Sequence, residues 1–453
     1  MNNVQTMPAG STGGRGTAGG TRAVWSWAIY DFANSPFTTL SVTFIYAAYF
    51  TQAIAPDPET GTVLWSRGVT VTALVVAFAS PLLGAFADRG GYRKRLLGLL
   101  TAATIVGSIA LYPMLPGQVL PALIVFVAAN ICFELAGVLY NAFLTDLAPP
   151  GRIGRVSGFG WGLGYVGGLL ALIVALTTLI MPETPWFGLT TEAGQNIRAS
   201  NLLVAAWFAV FSLPLFLFVR EPAARAAGAV RGSVPGDTAR QLAATFRDLG
   251  AHRQMVRFLI ARLLYNDGLV TIFAFGGIYA AGTFGFTVLD ILLFGIVLNV
   301  AAGLGSFVMG RFDDLLGGKR TIQMSLIALV AATVMLAVAP GAAWLWAAGI
   351  VVGVSVGPNQ SASRSLMGRF VPVGKENAFF GFFAFSGKAT AFLGPLMFGV
   401  LTETFGTQRA GVAIVLALFA AGLFVLAGVD EERGKQEALD PGAVGGELTD
   451  TAV

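Results

Sequence analysis

Apolar residues run along this chain in long blocks separated by short stretches rich in Pro, Gly and charge. A bilayer core of about 30 Å is crossed by about 20 helical residues, so a block of that length is what a spanning helix requires. Twelve such blocks occur, at 24 to 53, 67 to 87, 96 to 114, 119 to 146, 153 to 180, 201 to 219, 255 to 281, 287 to 310, 320 to 339, 342 to 367, 376 to 402 and 409 to 429. They predict an all-α integral membrane protein of twelve transmembrane helices.

The longest polar break, from Arg220 to about Gln254, divides six blocks from six. The organisation expected is a disordered tail over 1–23, a six-helix bundle over 24–219, a linker over 220–254, a second six-helix bundle over 255–429 and a disordered tail over 430–453. Residues 237–250 read equally as plain linker or as a helix lying on the membrane surface. The first tail is rich in Gly, Ser and Thr and lacks the apolar core of a secretory signal.

Composition agrees with lipid as the main solvent. Of 453 residues 55% are hydrophobic and only 11% charged, with a mean hydropathy of +0.73, against about a quarter charged in soluble domains. The 58 glycines suit close helix packing in lipid, and the Gly-rich GYVGG run lies inside an apolar block with no preceding strand, which makes it packing surface rather than a nucleotide loop.

The net charge of +4 is an orientation signal and calls for no nucleic-acid partner. With both termini in the cytoplasm, most of the 28 Lys and Arg residues fall on the cytoplasmic side; Arg67, Arg198 and Arg409 fall outside, and Arg262, Arg364 and Lys388 within or close to spans. The expectation is a multi-pass protein of the cell membrane with both ends inside. Cys132 is the only cysteine and His252 the only histidine, so no disulfide, metal site or cofactor is expected, and His252, beside Arg253 and Arg257, reads as a solvated loop residue.

The loop after the second block, GAFADRGGYRKR, and the loop after the eighth, GRFDDLLGGKR, superpose without gaps. Gly84, Asp88, Gly91, Arg93 and Lys94 fall on Gly310, Asp314, Gly317, Lys319 and Arg320. Gly permits a tight turn, Asp caps a helix and a basic pair anchors at the interface. The pattern resembles the signature loop of the major facilitator superfamily, Gly-x-x-x-Asp-Arg-x-Gly-x-Arg-Lys. Arg89 keeps that motif's arginine in the first copy, whereas Leu315 replaces it in the second. The resemblance implies two pseudo-symmetric bundles around a central site, gated at these loops, and a monomer.

A narrower resemblance rests on YDFANSPF (30–37), YNAFLTDLA (140–148), GRVSGFGWGLGYVGG (154–168), GPNQSASRSLMGRFVP (357–372) and FFGFFAFSGKATAFLGP (379–395). These are similar to the vacuole-effluxer, autophagy-related branch of the superfamily. Yeast members of that branch are linked to amino-acid release from the vacuole, which implies amino-acid efflux.

Polar residues inside the blocks locate the path, since a charge at the bilayer centre costs roughly 2.5 to 3.5 kcal/mol unless it faces a cavity or partner. Asp31, Asn34, Ser35, Thr38 and Ser41 predict one face of the first helix, with Pro36 interrupting it. Asp31 reads as a substrate or coupling group, or as a cap at the cytoplasmic end. Asn130, Glu134 and Asn141 form a stripe on the fourth helix, where Glu134 suits proton or substrate coupling, or a structural ion pair.

Asn266 and Asp267 on the seventh helix, with Tyr265, repeat the Tyr30–Asp31 pattern. Asn359, Gln360 and Arg364 follow Pro358, which is expected to break the tenth helix, and Lys388 lies in the eleventh. Arg364 suits a planar carboxylate and Lys388 a point charge; either could instead neutralise Glu134 or Asp267, and Arg364 could snorkel to the interface. Acidic groups in one half and basic groups in the other suggest a cradle for a zwitterion.

No Gly-x-x-x-x-Gly-Lys-Ser/Thr loop is present, which points away from ATP-driven pumping, and no catalytic constellation suggests an enzyme. The expected function is secondary transport of a small polar solute by alternating access, with protons as a candidate coupling ion. Proton-coupled uptake of a sugar, peptide or drug-like solute stays open, as does a non-transporting scaffold or enzyme on the same fold.

Overall fold

The structure is a computed structural model that describes residues 20–149, 151–221, 247 and 249–439. Among these every regular element is a helix. The first half contains α1 (Thr21–Pro36), α2 (Pro58–Gly90), α3 (Arg93–Leu111), α4 (Val119–Ala142), α5 (Ile153–Ala175) and α6 (Ser200–Phe218). The second contains α7 (Arg253–Phe284), α8 (Val288–Leu316), α9 (Gly318–Val338), α10 (Ala342–Phe370), α11 (Glu376–Lys388), α12 (Leu393–Phe405) and α13 (Gln408–Ala427), followed by α14 (Glu431–Leu439).

Eleven helices among the described residues are long and apolar enough to cross a membrane, α11 and α12 together forming one crossing. The first expected span is a helical run from Thr21 to Ile54 whose turns change type. α1 ends at Pro36, π-helical turns cover Phe37–Phe44, and α and π turns complete it. Pro36 supplies no N–H, which loosens the ladder where the wider turns begin. Pro358, by contrast, sits inside an unbroken α10, so the expected break there is absent.

Within the first half α1 packs on α5 and α6, and α4 on α2 and α3; within the second α13 packs on α7 and α9, and α10 on α8 and α9. The halves meet where α2 lies along α11 and α5 along α8 and α10. Glycine makes that approach possible: Gly158 of α5 faces Ser306 and Gly310 of α8 so closely that a Cβ would collide with backbone, and within the first half Gly167 meets Phe32 of α1 in the same way.

Two expectations for the polar segments change. The tail expected from 430 begins as α14, with Gly434 on the Phe370 ring and Glu437 accepting from the Gln254 N–H at 3.0 Å. His252 is buried, its ring 5.5 Å from that of Phe379, rather than solvated. Most of the expected linker, most of the surface helix proposed at 237–250, nearly all of the first tail and residues 440–453 lie outside the described residues.

Candidate functional site

At the end of the bundle where α2 leads into α3 and α8 into α9, two aspartates cross between the halves. Asp88 accepts from the N–H groups of Asn377 (3.0 Å) and Ala378 (2.8 Å) and from Asn377 Nδ2 (2.7 Å). Asp314 accepts from the N–H groups of Gly154 (2.7 Å) and Arg155 (3.2 Å). Each carboxylate therefore sits on the first turn of a helix of the opposite half, α11 or α5, where unpaired N–H groups and the helix dipole favour an anion. Gly84 and Gly310 lie at the same crossings, where a Cβ would strike Asn377 or Gly154.

Gly91 and Gly317 adopt φ of +64° and +93°, turning the chain into the next helix. Beyond them the gapless match of the two loops slips by one residue. The counterpart of Lys319 is Lys94, not Arg93: both give their N–H to a glutamate (Glu221 or Glu431) and their ammonium to a carbonyl ending the last helix of their own half (Val219 or Ala427). Arg93 instead pairs with Asp146 at 2.6 Å and stacks over Phe143. The side chain of Arg89 lies outside the described residues.

Sequence reasoning missed a further contact here. Asp313, buried, pairs with Arg369 at 2.7 Å and bonds Ser365, while Arg369 also reaches Glu431 at 3.4 Å. The available signal was the Asp313–Asp314 doublet, where the first loop has Ala87 before Asp88.

Deeper in the bundle Arg364 is the hub. It is 2% exposed and spans the halves from α10. Nη1 donates to Asp31 at 3.0 Å and to Asn141 at 3.2 Å; Nε and Nη2 donate to the Ser157 hydroxyl and carbonyl at 2.9 and 2.7 Å. Trp27, Trp161 and Tyr140 surround the guanidinium with ring centroids 4.9, 5.6 and 5.9 Å away. Asp31, Asn141 and Arg364 are thus brought together, and Arg364 does not snorkel. The planar fork satisfies partners in α1, α4 and α5 at once, which a point charge would not.

Another cross-half pair joins Glu134 of α4 to Lys388 at the end of α11, 2.6 Å apart. Glu134 lies two turns from Asn141 on the same helical face, so this pair stands about 10 Å along α4 from the Arg364 hub. Its side chains are 27% and 33% exposed, although each faces the other half. Arg364 is buried in the interface, whereas Glu134 and Lys388 are partly exposed.

Other expected members fall elsewhere. Asn359 is buried and donates to Ser325 of α9 at 3.0 Å, inside the second half, with Gln360 beside it half-buried. Ser41 bonds Asn201 of α6, because the π turns rotate it off the Asp31 face. Asn34 stays near that face, half-buried beside Ser35. Asn266 and Asp267 bond Gly387 and Gly394 of their own half, so Asp267 is not the equivalent of Asp31. Among the described residues no cluster of His, Cys, Asp or Glu could hold a metal.

The family model described as "Vacuole effluxer Atg22 like" matches residues 59–152 and 150–439. The chain belongs to this family. Among similar proteins, the uncharacterized MFS-type transporter YxiO of Bacillus subtilis is 27% identical over 90% of this chain and 94% of its own length. Autophagy-related protein 22-1 of Aspergillus fumigatus is 28% identical over 63% of this chain and 49% of its own length, so the chain spans about half of that fungal relative. The crystal structure of the human organic anion transporter MFSD10 superposes with a TM-score of 0.70 at 14% identity, covering 89% of this chain and 99% of that one. This Atg22-like chain is a multi-pass membrane transporter of the major facilitator superfamily, and the family and its neighbours are transporters rather than enzymes.

Proposed function

We propose that this Atg22-like chain exports an amino acid across the cell membrane by alternating access between its halves. The observation that carries this reading is the Glu134–Lys388 pair: one carboxylate and one ammonium, from opposite halves, touching and partly open. A zwitterion inserted between them trades one ion pair for two, its ammonium on Glu134 and its carboxylate on Lys388, and leaves no charge unpaired. A neutral sugar would split the pair without replacing either charge. The family description supports efflux.

With the signature loops in the cytoplasm, as the basic residues favour, the contacts of Asp88, Asp314 and Arg364 close the cytoplasmic end and the path opens outward. The remaining loop-side residues, Gly84, Gly91, Arg93, Gly310, Gly317 and Lys319, serve as the gate. Opening it parts Asp31 from Arg364, a separation that costs several kcal/mol unless a proton or the solute compensates; a proton on Asp31 or Glu134 would couple the cycle to the pH gradient.

Purified protein screened against amino acids, sugars and nucleosides should show thermal stabilisation by one or a few amino acids, up to about 2.7 kcal/mol at a hundredfold excess over Kd. The same amino acids should exchange in proteoliposome counterflow, faster with an imposed pH gradient if protons couple. Stabilisation and exchange by a sugar or nucleoside alone would overturn the amino-acid reading, and silence across the whole panel would favour a scaffold.

A further inference from the structure

The eleventh crossing is made of two helices. α11 ends at Lys388, α12 begins at Leu393, and 389–392 between them form turns. A break in apolar surroundings leaves carbonyls at the end of one piece and N–H groups at the start of the next without helical partners, with partial negative and positive charge respectively.

α7 supplies matching groups to both ends. Arg262, 7% exposed, donates from Nη1 to the Phe383 carbonyl at 2.6 Å and to the Ser386 hydroxyl at 2.9 Å, and lies over the Phe383 ring at 3.6 Å. Asn266 donates to the Gly387 carbonyl at 2.8 Å. One residue on, the Asp267 carboxylate accepts from the Gly394 N–H at 3.1 and 3.2 Å, within the first turn of α12. Arg262 thus meets the last turns of α11 at Phe383 and Ser386, Asn266 meets a terminal carbonyl at Gly387, and Asp267 meets the N–H end of α12.

Among the described residues neither charge has an ion-pair partner: the cross-half pairs engage Arg364 with Asp31, Lys388 with Glu134 and Arg155 with Asp314, and Arg262 Nε has no acceptor. Two buried opposite charges on one helix are therefore spent on the two helical pieces of the broken crossing rather than on each other. The glycines fit the same arrangement. A Cβ at Gly387 would strike the Arg262 guanidinium, and one at Gly394 would strike Thr271 and Asp267.

We infer that Arg262, Asn266 and Asp267 are positioning residues, a clasp on α7 that holds the break in the eleventh crossing and thereby sets Lys388 against Glu134. The assignment rests on the reading of Glu134 and Lys388 as the solute-binding pair only for its link to transport; the clasp itself is tested without a solute.

The test is the rate at which a water-soluble amine-reactive ester modifies Lys388 in the folded full-length protein, read by peptide mass spectrometry with Lys319 as internal reference. Glu134→Gln, which frees the ammonium directly, sets the maximum. Asp267→Asn, nearly isosteric, and Arg262→Gln should each raise Lys388 modification about tenfold toward that maximum, the scale set by losing a charge-assisted hydrogen bond. Arg262→Lys, which keeps the charge without the fork, should restore part of the protection.

Unchanged Lys388 modification in folded Asp267→Asn protein would overturn the clasp, whether or not Arg262→Gln folds. Raised modification with wild-type amino-acid counterflow would uphold the clasp and instead refute the solute-binding role of Lys388.

Discussion

Arg364→Gln is expected to abolish counterflow and to lower the melting temperature, both for the same reason. Arg364 is buried, bonds Asp31, Asn141 and Ser157 across the halves, and is packed among three aromatic rings. Removing one partner of a buried pair leaves the other charge stranded, which costs about 3–5 kcal/mol. In the proposed cycle the contact forms only when the loop end is closed, so that cost falls on one of its two states. Each 1.4 kcal/mol is a tenfold change in population, so the closed state falls by more than a hundredfold. Arg364→Lys is not expected to rescue it, since an ammonium cannot serve the three directions of the guanidinium. The checks are counterflow and thermal unfolding of both variants; wild-type transport in either would mean that Arg364 is no part of the gate.

Glu134→Gln and Lys388→Ala should separate the two effects. Their side chains are 27% and 33% exposed, and a pair open to water contributes only about 0–1 kcal/mol to stability. Folding and melting temperature should therefore stay close to wild type while counterflow is abolished, because each variant removes one of the two charges that receive the zwitterion. Normal transport by both variants would rule out the cradle. The contrast with Arg364 follows from burial alone.

The spans and the repeated loops were legible because each rests on a strong local signal: block length, and Gly and Asp at fixed spacing. Facing direction was harder to read. In a protein of two bundles a polar residue off the lipid can look into its own bundle or into the space between bundles, and helical periodicity does not separate them. Asn359 and Asp31 both satisfy the pattern, yet Asn359 bonds Ser325 within its half whereas Asp31 crosses to Arg364.

Local breaks of regularity misled in both directions. Pro358 is absorbed by α10, while the break after Lys388 has no proline before Pro395 and is held by α7 side chains distant in sequence. The one-residue slip between the loops became visible only through the glutamates, Glu221 and Glu431, that cap the two helices from elsewhere in the chain.

In the proposed transport cycle a watery path runs between the halves, open at the Glu134–Lys388 level and closed by Arg364 on the loop side. Thr38, exposed and two turns from Asp31 on the same face of the first helix, is its most direct probe, and the lone native Cys132 is removed as Cys132→Ser. In intact cells a membrane-impermeant thiol reagent added outside should label Thr38→Cys, and the transported solute should slow that labelling. Labelling that succeeds only from the cytoplasmic face, or not at all in correctly folded protein, would contradict the account.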